Sequence, residues 1–173
     1  DSIVTWCTGY SEPNHGSDLA AIQCKAELVG DNYVVNGQKI WTTGAPWSQW
    51  IILLVRTDFD VQSKHDGITC LLVPMDAPGV EVRPIENMAG DKHFAEIFFT
   101  DVQVPLENRL GAEGDGWKVT VSALANERSS IGEVTQMYEK LDKLKNLVQN
   151  TRKQGKPASE DPGVRRTIAR FEM

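Results

Sequence analysis

The sequence has little of several features that mark particular classes of protein. It contains only three cysteines, Cys7, Cys24 and Cys70, and they are widely spaced. No pair has the spacing of a zinc site or a redox motif, so we expect buried, inert thiols in a reducing compartment. The three histidines are also scattered. The sequence therefore predicts no metal site.

Positive charge and long apolar runs are also scarce. The net charge is −6 and no block of Lys and Arg occurs, which argues against nucleic acid as a partner. The apolar run Ile51–Val55 is far too short for a membrane span and predicts a buried strand instead. The first residues lack the basic start and apolar core of a signal peptide.

What is present is a globular composition, with 40% hydrophobic and 24% charged residues. A length of 173 residues suits one domain, or a small domain with part of another. The chain does not begin with Met, and it stops at Met173 in what reads as the opening of a helix. We expect a fragment of a longer protein.

The first part of the chain predicts β-structure. Ala26–Val29 and Tyr33–Val35 flank a hairpin signal at Gly30-Asp31-Asn32, and Asn36-Gly37 suits a second tight turn of type I′. Further short apolar segments are separated by polar residues, Gly and Pro. Many short strands at such spacing predict an antiparallel sandwich or barrel. The predicted strands are residues 49–56, 68–74, 80–84, 95–99 and 102–104.

The second part predicts helices. From Trp117 to Val148, apolar residues recur at intervals of three and four, which indicates a helix longer than about 25 residues. Gly155-Lys156-Pro157 is expected to stop it, and a second helix is expected near Asp161-Pro162. The fold class is therefore α+β, with a β-domain over residues 1–105 and an incomplete helical domain over residues 106–173. The exposed apolar stripe predicts self-association.

Two segments combine small hydrogen-bonding residues with aromatic ones, Gly9–Asp18 and Asn36–Ala45. Such a combination suits a planar cofactor that carries phosphate, because the rings need stacking and the phosphates need close backbone approach. Each segment also has a plainer interpretation. The first could be a capped loop, with Ser17 or Asp18 as the N-cap, and the second could hold a core Trp on a sheet.

Taken together, the two segments resemble a known family. Trp6–Leu19 looks like the first signature of the acyl-CoA dehydrogenases, and Asn36–Thr43 is similar to the second flavin segment of that family. Val73-Pro74, Pro78-Gly79-Val80, Val104-Pro105 and Gly114-x-Gly116-Trp117 also fall where the family has like residues. One departure is Asn14-His15, where the common signature has Gly-Ala. The resemblance covers nearly the whole chain.

The resemblance implies the middle β-domain of this family and the start of its C-terminal helical domain. It also implies FAD as the cofactor, α,β-dehydrogenation of an acyl-CoA thioester, and electron-transferring flavoprotein as a partner. A homo-oligomer, dimer or tetramer, in the bacterial cytoplasm or the mitochondrial matrix would follow. The implied cofactor-binding residues are Thr8, Tyr10, Ser11, Gly16, Ser17, Trp41, Thr42 and Thr43.

The catalytic base is less well defined by the sequence. In many members of the family it lies in the later helical domain, beyond Met173, and in a subset it lies on the first long helix, before an Arg. Glu127 occupies the latter position here, followed by Arg128. A salt bridge to a neighbouring helix would explain Glu127 equally well. Ser17, Asn126 and Arg128 are the expected substrate contacts.

Three alternatives to a dehydrogenase stay open at this point. A flavin oxidase or a flavin monooxygenase of the same fold would differ in the access of oxygen to the reduced flavin. A non-catalytic assembly or scaffold subunit would keep the β-domain and lose the flavin or the base.

Overall fold

The protein is described by a computed structural model that covers residues 4–130 and 134–172, without the side chains of residues 127–130 and 134–136. The chain divides into two compact units, Asp1–Ala123 and Leu124–Met173. The first is built on a sheet and the second on helices, which confirms the α+β prediction.

Eight strands form one mixed sheet in the part of the first unit that is described. Their order is β6-β7-β3-β2-β4-β5-β8, and β1 pairs with β4. Most neighbours are antiparallel, but β1 and β2 run parallel to β4, which the sequence did not predict. The strands are β1 (Trp6–Gly9), β2 (Lys25–Val29), β3 (Asn32–Thr43), β4 (Trp50–Arg56), β5 (Ile68–Pro74), β6 (Val80–Ile85), β7 (Phe94–Pro105) and β8 (Arg109–Leu110).

The core of this unit lies on both faces of β4. Ile51, Leu53 and Val55 join the larger hydrophobic cluster, whereas Leu54 joins a smaller one with Ile68. A strand that is covered on both faces reads as a continuous apolar run, which is why Ile51–Val55 lacks alternation. Each such side chain contributes roughly 1.5–3 kcal/mol on burial.

The predicted turn at Asn36-Gly37 is wrong, because β3 continues through it and pairs with β7 on both sides. The extra residue lies in β7 instead, where Asp101 adopts a φ of 50° and exchanges hydrogen bonds with the side chain of Asn36. For the same reason the two segments predicted at residues 95–99 and 102–104 are one strand. The hairpin predicted at Gly30 is confirmed.

The helices are α1 (Gly116–Ser130), α2 (Val134–Asn150) and α3 (Pro162–Glu172). The predicted single long helix includes residues 131–133, which lie outside the described residues, so its continuity stays a prediction. The predicted stop at Gly155 is wrong, because α2 ends at Asn150 and a short hairpin of β9 (Arg152–Lys153) and β10 (Lys156–Pro157) follows.

The start of α3 near Asp161 is confirmed. The Asp161 carboxylate accepts the backbone N–H groups of Gly163 and Val164, at 2.8 and 3.0 Å. Its hydrogen bond to Lys153, together with these caps, lowers the pKa of Asp161 to about 2. None of the described helices is long and apolar enough to cross a membrane.

Candidate functional site

The two segments singled out in the sequence lie side by side. The backbone N–H of Ile40 donates to the carbonyl of Ser11 at 2.9 Å, and the Lys39 ammonium donates to the carbonyl of Tyr10 at 3.1 Å. The loop that follows β1 is thus bound to the last third of β3. The two segments are therefore adjacent, as they would have to be if they bind one cofactor.

A β-bulge in β3 sets the direction of Trp41. Lys39 pairs with Ile97 and Thr42 pairs with Ala95, so three steps along β3 match two along β7. The additional residue leaves Trp41 in the left-handed region, with a φ of 59°. Bulges of this kind redirect side chains and are frequent beside functional sites. The left-handed conformation of a bulky residue costs roughly 1–3 kcal/mol, which the surrounding structure must offset.

The result is an indole that faces outward. Trp41 is 59% exposed and meets Phe94 edge to face, with ring centroids 6.2 Å apart. Thr43 is also exposed, whereas Thr42 between them is buried. The Thr42 hydroxyl has no hydrogen-bond partner among the described residues. The sequence placed all three residues at the cofactor, but Trp41 and Thr43 present their side chains to solvent and Thr42 does not.

The end of β1 and the loop that follows it contain three hydroxyl groups that have no hydrogen-bond partner among the described residues, and there is open space beside Gly16. Thr8 and Ser17 are exposed and Ser11 is half-buried, and none of their hydroxyls is hydrogen-bonded to another group in residues 4–130 or 134–172. A Cβ added at Gly16 would meet nothing within 4 Å. Such a surface allows a phosphate to approach the backbone closely. Tyr10 is half-buried and packs against the smaller cluster.

The turn inside this loop is closed by its own backbone. Glu12 and His15 exchange two N–H···O bonds of 3.0 Å. Beyond it, Asp18 accepts a hydrogen bond from Lys64 at 2.7 Å, and this bond lowers the pKa of the Asp18 carboxyl. The His15 ring is half-buried in the turn.

The structure adds a buried ion pair beneath the loop, Glu12 with Lys39. The ammonium and carboxylate are 2.8 Å apart, and the side chains are 6% and 0% exposed. Neither residue is predicted as a site residue from the sequence. The available signal was the position of Lys39 on β3, at two-residue spacing from Tyr33 and Val35, which face inward. Beside the pair, burial raises the pKa of the Cys24 thiol to about 11.

The remaining predicted site residues belong to the second unit. Asn126 is exposed on α1. The side chains of Glu127 and Arg128 lie outside the described residues, so their roles stay predictions. No group of three His, Cys, Asp or Glu side chains that could hold a metal ion occurs in the described ranges.

One rim of the mixed sheet thus places an outward indole beside a loop that contains glycine and hydroxyl side chains. The family model for the middle domain of acyl-CoA dehydrogenases matches residues 7–102, and the model for their C-terminal domain matches residues 114–173. The chain belongs to the acyl-CoA dehydrogenase family, whose members depend on FAD.

Individual relatives agree. The chain is 44% identical to acyl-CoA dehydrogenase IpdE1 of Mycobacterium tuberculosis, over 98% of this chain and 43% of that protein. It superposes on the ChsE4-ChsE5 complex of M. tuberculosis with a TM-score of 0.76 and 35% identity, over 98% of this chain and 44% of the other. It superposes on the Tcur3481-Tcur3483 steroid ACAD with a TM-score of 0.75 and 32% identity, over 96% of this chain and 42% of the other. The chain spans less than half the length of these relatives.

Proposed function

We propose that the full-length protein is an FAD-dependent acyl-CoA dehydrogenase that introduces an α,β double bond into an acyl-CoA thioester. The observation that carries the proposal is the 2.9 Å bond between Ile40 and Ser11, which joins the two segments expected to surround one flavin. Family membership supports the reaction class. We also keep the domain boundary at Pro105 as a proposal, between the two matched family models.

The residues present fit FAD. Trp41 would flank the ring system, with Thr43, Thr8 and Ser11 as hydrogen-bond donors at its polar edge. Tyr10 would line the ring from the loop. Thr42 would act from inside the sheet, since its side chain is buried and its hydroxyl lacks a partner among the described residues. Bound FAD would supply the acceptor for the hydride that leaves the substrate β-carbon.

Gly16 and Ser17 would hold the diphosphate of the cofactor or the thioester end of the substrate. The open space at Gly16 and the uncommitted hydroxyl of Ser17 support this role. Removing the hydroxyl in Ser17→Ala should weaken ligand binding and leave stability within about 0.5 kcal/mol, because the side chain is exposed.

Glu127 would take the proton from the substrate α-carbon, with Asn126 and Arg128 as substrate contacts. The thioester carbonyl acidifies this proton only while donors hold its oxygen. Mixing the Glu127→Gln full-length variant with substrate under anaerobic conditions tests the role. Undiminished bleaching of the flavin absorption would remove Glu127 from it and favour a base beyond Met173.

The decisive experiment for the reaction class is an absorption titration of purified full-length protein with a panel of acyl-CoA thioesters. A yellow protein that bleaches with one of them supports the proposal. A colourless protein that takes up no FAD would favour an assembly subunit. Peroxide formed on aerobic turnover would favour an oxidase, whereas electron transfer to an electron-transferring flavoprotein would favour the dehydrogenase.

We further propose that the protein is a homo-oligomer, dimer or tetramer, of the bacterial cytoplasm, with the relatives from M. tuberculosis favouring this compartment over the mitochondrial matrix. A second candidate assembly is a complex of two different subunits, because two of the similar structures carry paired names, ChsE4-ChsE5 and Tcur3481-Tcur3483. Native mass spectrometry of the full-length protein, expressed alone, distinguishes the two. A single monomeric species would count against the homo-oligomer.

A further inference from the structure

The ion pair between Glu12 and Lys39 differs from the other ion pairs of the sheet unit in its burial. The side chain of Glu12 is 6% exposed and that of Lys39 is 0% exposed. In the Lys25–Glu27 pair on β2, the Lys side chain is 46% exposed and the Glu side chain is 67% exposed. Water screens an exposed pair strongly, so it holds its neighbours only weakly. In a buried pair, the loss of either partner leaves the other charge buried without compensation, which destabilises the surrounding structure strongly.

Both charges of the buried pair are further compensated. The Lys39 ammonium donates to the Tyr10 carbonyl at 3.1 Å as well as to Glu12. The Glu12 carboxylate accepts the backbone N–H groups of Gln23 and Cys24, at 2.7 and 2.9 Å. The pair therefore ties three separate parts of the chain together: the loop after β1, the entry to β2, and β3.

The position of the pair along β3 is informative. Lys39 is the last residue in regular register before the bulge that contains Trp41. The adjacent Ile40 N–H bonds to Ser11, so two successive residues of β3 are fixed to two successive residues of the loop. On the far side, Thr42 is back in register with Ala95. Trp41 thus keeps its left-handed conformation between two fixed points.

We propose that Glu12 and Lys39 are positioning residues for FAD, which hold the Trp41 indole and the Gly9–Asp18 loop at a fixed separation before the cofactor binds. Neither side chain touches the cofactor, because both are buried beneath the loop. The inference rests on the proposed function, since it assumes that FAD occupies this rim.

The test is the FAD affinity of full-length apoprotein, measured by fluorescence titration, for Lys39→Met and Glu12→Gln. Losing one partner of a buried pair should weaken FAD binding by about 30-fold in Lys39→Met. The exposed counterpart, Lys25→Met, should leave the affinity unchanged. Val104→Ala is a destabilised control. Val104 is buried on β7 opposite Tyr33, near the start of β3, and its loss should lower the melting temperature without altering the affinity for FAD.

A double-mutant cycle with Trp41→Phe separates positioning from general stability. If Lys39 acts through Trp41, the variant carrying both changes should bind FAD about as weakly as Lys39→Met alone, because coupled sites are not additive. Multiplied losses would overturn the inference. The flavin visible circular dichroism should also change in Lys39→Met and not in Val104→Ala.

Two results keep the inference separate from the proposed function. If the wild-type protein binds no FAD, the proposed function fails. If Trp41→Phe weakens FAD while Lys39→Met matches Val104→Ala, only the inference fails. Should Lys39→Met not fold, the same cycle is run with Glu12→Gln, which keeps the volume of the side chain, and additivity there would again overturn it.

Discussion

The sheet unit and the helical unit contain similar apolar residues, but the sheet unit buries them and the helical unit leaves most of the described ones exposed or only partly buried. In Asp1–Ala123, side chains from six of the strands are buried in one cluster. Among the described residues of Leu124–Met173, Ala158 is the one buried hydrophobic residue, and Leu147 and Phe171 are more than 60% exposed. A sheet that buries both faces of a central strand completes its own core, whereas these helices do not. Substitutions of the same chemical type should therefore have very different effects in the two units.

The largest effect is expected at Gly37, in the middle of the sheet unit. Its φ is +150°, and an added Cβ would lie 2.6 Å from the Cα of Cys24. Gly37→Ala should therefore lower the free energy of unfolding by about 4 kcal/mol or more, from backbone strain and overpacking together. Chemical denaturation measures it. The matched control is Gly16→Ala, where the added Cβ has free space, and equal losses in the two variants would contradict the prediction.

The next effect is expected at Ile97, which is fully buried on β7. Ile97→Ala should lower the free energy of unfolding by about 2–5 kcal/mol, since it removes apolar area and leaves a cavity. The denaturation midpoint should fall with the slope unchanged. A loss below about 1 kcal/mol would show that this part of the sheet is less tightly packed than the structure describes.

Much of the sheet unit, and the start of α3 in the helical unit, could be predicted from local patterns. The hairpin at Gly30 and the strands Trp50–Arg56 and Ile68–Pro74 follow from apolar runs and turn residues, and Asp161 marked the start of α3. These features depend on neighbours in the sequence. Asn36-Gly37 gave an equally strong local signal, but pairing of β3 with β7 over many residues outweighed it.

In the candidate site, too, the features that depend on local sequence could be predicted, and those that depend on distant partners could not. The two segments were recognisable by residue type, and their resemblance to one family implied that both bind the same cofactor. The bulge that turns Trp41 outward and the pairing of Glu12 with Lys39 depend on partners far apart in the chain, so spacing did not reveal them. The inward position of Thr42 follows from the same bulge, since one extra residue reverses which side chains face the core.

A loss of stability at alkaline pH that comes from the thiols should arise in the sheet unit, which contains all three cysteines. Burial raises the pKa of Cys24 and of Cys70 to about 11, from an ordinary value of 9.0. Between these values the native state keeps protons that the unfolded state loses, so stability falls as the pH rises. Between pH 9 and 11, each thiol should lower the free energy of unfolding by about 1.4 kcal/mol for each unit that the pH rises.

Thermal melts from pH 8 to 11 measure this effect. Cys70→Ala provides the comparison, because it should flatten the decline above pH 9 while lowering stability at pH 8 through lost packing. An unchanged slope in this variant would show that the Cys70 thiol does not titrate differently in the two states.

The smallest effect is expected at Leu147 on α2, which is 63% exposed. Leu147→Ala should change the free energy of unfolding by less than about 0.5 kcal/mol, because an exposed aliphatic side chain gains little from folding and Ala is a good helix former. It is the helical counterpart of Ile97→Ala and is measured by the same denaturation experiment. A loss approaching 2 kcal/mol in the full-length protein would mean that another segment or subunit covers this face there. In that case the contrast between the two units would belong to the isolated chain, and the helices would share a core with that neighbour.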